Sequence, residues 1–301
     1  MVVKNQQVHL PLLAEKRVSL FIKREDLIHP HISGNKYRKL WYILIESQIG
    51  GFSTILTFGG AFSNHIAATA YAGKENGFRT VGIIRGDELA DKWEQNLTLA
   101  LAKANGMQFK FVSRANYRQR ENYEFLKELE SEFGNFYLLP EGGTNALAIK
   151  GCGEILNPDV DDFDIVSCAV GTGGTIAGII DSSNASQYML GFPALKGDFL
   201  KNDICKFAQK RNWELQTDYH FGGYAKVDEK LVNFINDFKQ KTGIPLDPIY
   251  TGKHLYGILD LVGKDYFSPN TKILAIHTGG LQGIIGMNLI LKMKNLPLLD
   301  L

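Results

Sequence analysis

Cysteine is scarce in this sequence of 301 residues. Cys152, Cys168 and Cys205 lie far apart and form no CxxC pair, so neither a disulfide framework nor a zinc site is expected and a reducing cytoplasm fits best. An excess of charge is also missing. A net charge of +1 argues against nucleic acid or a membrane surface as the main partner. The longest uncharged run, IVSCAVGTGGTIAGII, is rich in glycine and falls short of the ~20 apolar residues that span a bilayer, so no membrane span is expected. The opening MVVKNQQVHLPLLAEKR lacks a basic start followed by an apolar run, and no secretory signal is expected there. Internal repeats and low-complexity tracts are absent as well.

What is present is the balance of an ordinary globular protein, with 45% hydrophobic and 22% charged residues. The length predicts one large or two modest domains. Short β-branched runs alternate with helical patterns, beginning with STILTFGG then SNHIAATAYAGKENG, RTVGIIRG then ELADKWEQNLTLALAKANG, and MQFKFVS then RENYEFLKELESEFG. That alternation reads as parallel βαβ units. From about Ala148 a second series follows, from FDIVSCAV and GTGGTIAGII to TKILAIHTGGLQGIIGMNLI, and its almost continuously apolar strands suit a sheet covered on both faces. Two separate sheets are therefore expected, each an open, mostly parallel α/β layer.

In such sheets ligands collect at the carboxyl ends of strands. The loop Gly171-Thr172-Gly173-Gly174-Thr175 follows FDIVSCAV and opens a helical pattern. It reads as a phosphate cradle built from backbone N–H groups and a helix N-terminus, or as a plain strand-to-helix turn. It is neither a dinucleotide fingerprint, since Ile176 stands where the last glycine would be, nor a P-loop, since no lysine follows. Ser63 and Asn64, after STILTFGG, suit a helix N-cap, and the serine lacks a GxSxG setting for hydrolase chemistry. Tyr250, Thr251, His277 and Thr278 occupy two late loops that could be ordinary turns. His29 and His31 are spaced for a metal, yet no Cys or acidic pair completes a tetrahedral set, so no metal is expected. Lys36, in SGNKYRKL, sits behind a flexible Gly-Asn pair and reads as an exposed-loop lysine that contributes little packing.

Taken in order, KRED, SGNKYRKL, FGGAFSNH, LPEGGTN, AVGTGGTIAG, YTGK and HTGG resemble the signature series of the pyridoxal-phosphate enzymes that include D-cysteine desulfhydrase and 1-aminocyclopropane-1-carboxylate deaminase. The resemblance covers about residues 18 to 290. It implies the two-domain fold of the tryptophan synthase β subunit (fold type II), with residues 1–45 and 150–301 forming the larger domain and 46–149 an inserted smaller one. It also implies a homodimer acting on a small amino acid in the cytoplasm. By positional match, Lys36 is the lysine that forms a Schiff base with pyridoxal 5'-phosphate and acts as a base when freed. Gly171, Thr172, Gly173, Gly174 and Thr175 hold the phosphate, Asn64 bonds the ring hydroxyl, and Ser63 faces the substrate. Tyr250 and Tyr224, the latter from FGGYAK, lie near the substrate. Thr251 and Thr278 follow the desulfhydrase pattern, whereas the deaminases carry glutamate and leucine there. The implied reaction is α,β-elimination of a D-cysteine-like substrate to pyruvate, sulfide and ammonia. Ring opening of aminocyclopropane carboxylate is the alternative, and a non-catalytic protein that binds a phosphate ligand is the alternative of another class.

Overall fold

The computed structural model describes residues 3–32, 34–197 and 199–300. Ser33 of the SGNK motif lies outside them. Ten strands form two sheets: β1 (Asn5–Val8), β2 (Ser19–Lys23), β3 (Thr54–Gly59), β4 (Arg79–Arg85), β5 (Gln108–Val112), β6 (Tyr137–Leu139), β7 (Ile165–Val170), β8 (Tyr188–Pro193), β9 (Trp213–Leu215) and β10 (Lys272–Ile276). The first sheet has six strands in the order β1-β2-β10-β7-β8-β9 and joins both ends of the chain. Only the edge pair β1–β2 is antiparallel. The second sheet has four strands in the order β5-β4-β3-β6, all parallel.

Every residue of β3 is buried, and so are nearly all of β7, β8 and β10, as parallel strands between helical layers require. The largest apolar cluster lies on one face of the six-stranded sheet and includes Leu20, Ile22, Phe192, Ile258 and Ile273. The opposite face holds a second cluster with Val166, Ile176, Ile180 and Leu274. The helix Asn35–Ile49 turns Leu40 and Ile43 onto the smaller sheet, where they meet Ile55, Ala68 and Leu139. The segment that follows β2 is thus anchored in the core of the second sheet, and its amino end reaches back to the first.

Because all the described strands except β1 run parallel within their sheets, their carboxyl ends present loops on one side. Lys23, Val170 and Ile276 end strands of one sheet; Gly59, Arg85 and Leu139 end strands of the other. The motifs read from the sequence lie in those loops. Two of the motifs brace the fold directly. Arg38 donates from Nε and Nη2 to the two oxygens of Glu25, at 2.9 Å each, in a pair whose carboxylate is wholly buried. Arg24 holds Asp26 in the same forked way. KRED and KYRKL are thereby locked together, since the Glu25–Arg38 pair sets the rotation of the helix that carries Lys36.

Candidate active site

A cavity of about 600 Å³ opens between the carboxyl ends of the two sheets. Lys36 lies on its wall, not on an exposed loop: it occupies the first turn of the helix Asn35–Ile49, partly buried, and its Nζ donates to the carbonyl of Gly142 at 3.2 Å. The difference from the sequence expectation arises because the loop Glu141–Gly143 closes over the helix start. Burial, and then the neighbouring Lys39, hold the Lys36 amine well below the ordinary lysine range. That favours the neutral, nucleophilic form of the amine.

The amino end of this helix is fixed by a close backbone approach. The N–H of Gly34, a residue at φ 64°, donates to the Glu25 carbonyl at 3.0 Å, and the Asn35 N–H donates to the Thr278 carbonyl at 3.3 Å. The Asn35 side chain donates to Thr175 Oγ1 at 2.7 Å, which ties the lysine turn to the glycine loop. Gly173 there is left-handed at φ 83° and caps the helix Gly174–Ser182. A Cβ on Gly174 would sit 2.7 Å from Thr144 Cγ2 and 3.2 Å from Lys39 Nζ. Small residues therefore leave room for an anion before a helix N-terminus.

Lys39 was not singled out in the sequence. It is almost wholly buried, lines the same cavity, and donates to Gly142 O at 3.1 Å and Thr144 Oγ1 at 3.0 Å. No carboxylate among the described residues pairs with it, and burial lowers its pKa. A buried cation without a counter-ion beside a glycine cradle suits a phosphate dianion. The signal was legible: Lys39 stands three residues after Lys36, on the same helical face.

Across the cavity Ser63 is the N-cap of the helix Asn64–Glu75, with Oγ accepting from the Ile66 N–H at 3.4 Å, and it also lines the wall. Asn64 accepts from Gln282 Nε2 at 2.9 Å, which leaves its own Nδ2 directed at Gly280, 2.7 Å from where a Cβ there would stand. His65 is buried on the same wall. Thr57 donates to Leu139 O at 2.9 Å and so accepts from His65 Nε2 at 2.7 Å, fixing the tautomer and leaving Nδ1 unpartnered. Burial, then Lys36 and Lys39, keep this imidazole neutral by pushing its pKa well below the ordinary histidine value.

Tyr250 and Tyr224 lie together on the cavity wall with ring centroids 6.2 Å apart. Burial raises both phenols, most strongly that of Tyr250, so both remain protonated at neutral pH. Two further residues position them. Asp247 accepts the N–H groups of Ile249, Tyr250 and Thr251 at 2.8–3.0 Å, together with the Thr251 hydroxyl at 2.7 Å. Lys253, with its pKa lowered to about 8 by burial, donates to the carbonyls of His220 and Gly223 at 3.0 and 2.8 Å and anchors the loop before Tyr224. Thr251 is wholly buried behind Tyr250 and contributes nothing to the cavity wall, whereas Thr278 does line it. Two other histidines are structural in their contacts: His277 accepts from the Gly279 N–H and bonds Pro245 O, and His254 bonds Ser167. His29 Nδ1 accepts the N–H groups of His31 and Ile32, closing a turn.

Lys36, the cradle, Lys39, Asn64 and Thr278 therefore converge on one cavity with the donors that pyridoxal phosphate requires: an amine for its aldehyde, N–H groups and a cation for its phosphate, and neutral donors for its ring. The fold and site define a pyridoxal-phosphate enzyme. The chain belongs to that family: the model described as "Pyridoxal-phosphate dependent enzyme" matches residues 3–188. Its relatives narrow the class. A Pyrococcus abyssi protein provisionally named as a 1-aminocyclopropane-1-carboxylate deaminase is 32% identical over 300 residues, covering 92% of this chain and 89% of its own. The bifunctional D-cysteine desulfhydrase/1-aminocyclopropane-1-carboxylate deaminase of Arabidopsis thaliana is 32% identical over 292 residues, covering 88% of this chain and 73% of its own. A crystal structure described as an ACC deaminase homologue superposes with a TM-score of 0.81 at 30% identity, covering 94% of this chain and 90% of that one.

Replacing Gly174 by valine tests the cradle. The branched side chain must displace Thr144 and Lys39 from the anion's position, and overpacking of this kind costs about 1–3 kcal/mol. The expected result is a drop in cofactor affinity of roughly 10–100-fold, measured by absorbance titration of the apoprotein. Unchanged retention after dialysis would move the phosphate elsewhere.

Proposed function

We propose that this enzyme is a lyase of the D-cysteine desulfhydrase type, eliminating a β-leaving group from a small amino acid to give pyruvate and ammonia. The carrying observation is Thr278. Its hydroxyl lies on the cavity wall without a hydrogen-bond partner among the described residues, in the position that the resemblance assigns to the pyridine partner. Asp247, the buried carboxylate nearest Gly280, has both oxygens engaged by Ile249, Tyr250 and Thr251. A neutral partner leaves the pyridine nitrogen less protonated than a carboxylate would. Expulsion of a good leaving group tolerates that, whereas opening an unactivated cyclopropane demands the stronger electron sink.

Bound pyridoxal phosphate supplies the sink for the electron pair left at Cα. The chain's residues do the rest. Lys36 would hold the cofactor through its amine, and the same amine is placed to take the proton from Cα. Backbone N–H groups from Gly171 to Thr175, with Lys39, bind the phosphate. Asn64 donates to the ring hydroxyl. Ser63 and the N-terminus of its helix orient the substrate carboxylate. Tyr250, kept protonated and held in place by Asp247, gives a proton to the departing group, and Tyr224 excludes water from the cavity mouth.

This reading retains the family's inserted unit at 46–149 within 1–45 and 150–301, a cytoplasmic setting and a homodimer. No described helix is long and apolar enough to cross a membrane. Support for a second copy comes from an exposed apolar stripe, Ile285, Leu289 and Met293, beside Leu97 and Leu101; light scattering on the eluted protein tests it. The decisive experiment is a panel of D- and L-amino acids scored for pyruvate and 2-oxobutanoate. Pyruvate from D-cysteine or a related β-substituted amino acid is expected, with little 2-oxobutanoate from aminocyclopropane carboxylate. Efficient ring opening, or failure of every β-substituted member, would overturn the reading.

A further inference from the structure

The cationic groups on the cavity wall can be accounted for one at a time. Lys36 and Lys39 face Gly142 and the cradle. Arg120 pairs with Glu141 at 3.4 Å, and Asp203 is taken by Lys206 at 2.6 Å. Arg85 alone is left over. It ends β4, lines the cavity, and among the described residues no carboxylate pairs with it and no carbonyl or side chain accepts from its guanidinium. Arg85 is exposed at the end of its strand, and one face of its guanidinium is steadied by a ring. It lies over the ring of Tyr117, with the guanidinium carbon 5.5 Å from the centroid, and Arg120 lies 5.6 Å from that centroid. Tyr117 is itself only 3% exposed, so it is a rigid post for both guanidiniums. Nη2 of Arg85 lies 3.4 Å from where a Cβ of Gly60 would be, beside the FSNH loop, and Tyr224 lines the same cavity. A braced guanidinium at the open end of an amino-acid site, with its fork unoccupied, matches the geometry of a carboxylate, phosphate or sulfonate. The cofactor phosphate and the substrate's α-carboxylate already have donors of their own, at the cradle and at Ser63.

We propose that Arg85, braced with Arg120 on Tyr117, recognises a second anionic group on the substrate, so that the enzyme takes β-substituted amino acids whose leaving group itself carries negative charge. This rests on the elimination reading of the same site. In the net reaction the Cα–H and Cβ–X bonds break, X leaves with the bonding pair as sulfite or phosphate, and one water converts the remaining enamine to pyruvate and ammonia. No oxidant or reductant is needed.

The test uses holoenzyme and pairs that differ in the charge of the β-substituent: cysteate against cysteine, and O-phosphoserine against O-acetylserine, each in both enantiomers. Turnover is read as pyruvate. Binding is read separately, from titration of the cofactor's visible band. The anionic member of a pair is expected to have the higher kcat/KM. Arg85→Met should lower kcat/KM and raise Kd for that member by about 10–100-fold, the scale of a lost hydrogen bond to a charged group, and change the neutral member by less than about threefold. Arg85→Lys should fall between. Equal losses on both members would assign Arg85 to the α-carboxylate or to structure and overturn the proposal, as would a parent enzyme without preference in either measurement. If no member yields pyruvate, the elimination reading fails. Arg85 recognition then stands if cysteate still binds more tightly than cysteine and loses that advantage in Arg85→Met, and falls if it does not.

Discussion

Lys36→Ala should abolish turnover and leave the protein folded. The proposed function assigns this amine both the bond to the cofactor and the proton at Cα, and loss of a positioned acid–base group alone costs about 10²–10⁴-fold in rate. Folding should change little. Lys36 makes one hydrogen bond, to Gly142, whose net contribution is about 1 kcal/mol, and removal of an amine whose charged form burial disfavours relieves a desolvation cost. The purified variant should also lack the visible Schiff-base band that borohydride bleaches in the parent. A variant that retained both the band and near-parent turnover would remove Lys36 from the mechanism.

Gly34→Val should lose activity and stability together. A Cβ at this position would overlap the carbonyl of Thr278, a backbone group that cannot rotate away, and the residue sits at φ 64° with ψ −144°, which β-branched side chains do not adopt without strain. Overpacking and backbone strain each cost about 1–3 kcal/mol, so a combined loss of roughly 2–6 kcal/mol is expected in denaturant melts. The forced separation moves Lys36 and Thr278 apart, and these are the groups assigned to opposite ends of the cofactor ring. Cofactor affinity should therefore fall even under conditions where the variant is fully folded. If Gly34→Val bound cofactor as the parent does, the close approach of the two loops would have no part in building the site.

How much of this was legible beforehand differs by kind of residue. The alternation of β-branched runs with helical patterns predicted two parallel α/β sheets, because strand and helix periodicities are local properties of the chain. The three short strands β1, β6 and β9 were not read from the sequence. Runs of three or four residues carry little periodicity, and each forms only because a neighbouring strand offers unpaired backbone groups. The glycine loop Gly171–Thr175, the Ser63–Asn64 turn and the HTGG turn were found where they stand, since parallel strands must end in loops on one side and glycine marks where backbone approaches something closely.

What each side chain faces was decided by tertiary structure. Thr251 and Thr278 look equivalent in the sequence, yet one bonds Asp247 behind the wall and the other lines the cavity. Lys36 reads as a free surface lysine until the loop Glu141–Gly143, more than a hundred residues later, covers it. Lys39 and Lys253 stand inside the motifs, Asp247 and Arg85 in ordinary-looking segments, and all four matter because of the partners that distant elements bring to them or withhold. Local sequence determines which conformations and which chemical groups are available along the chain. Burial, the absence of a counter-ion and the meeting of two loops at the Thr278 carbonyl are properties of non-local packing, and they set the protonation and aim of the groups on which the chemistry depends.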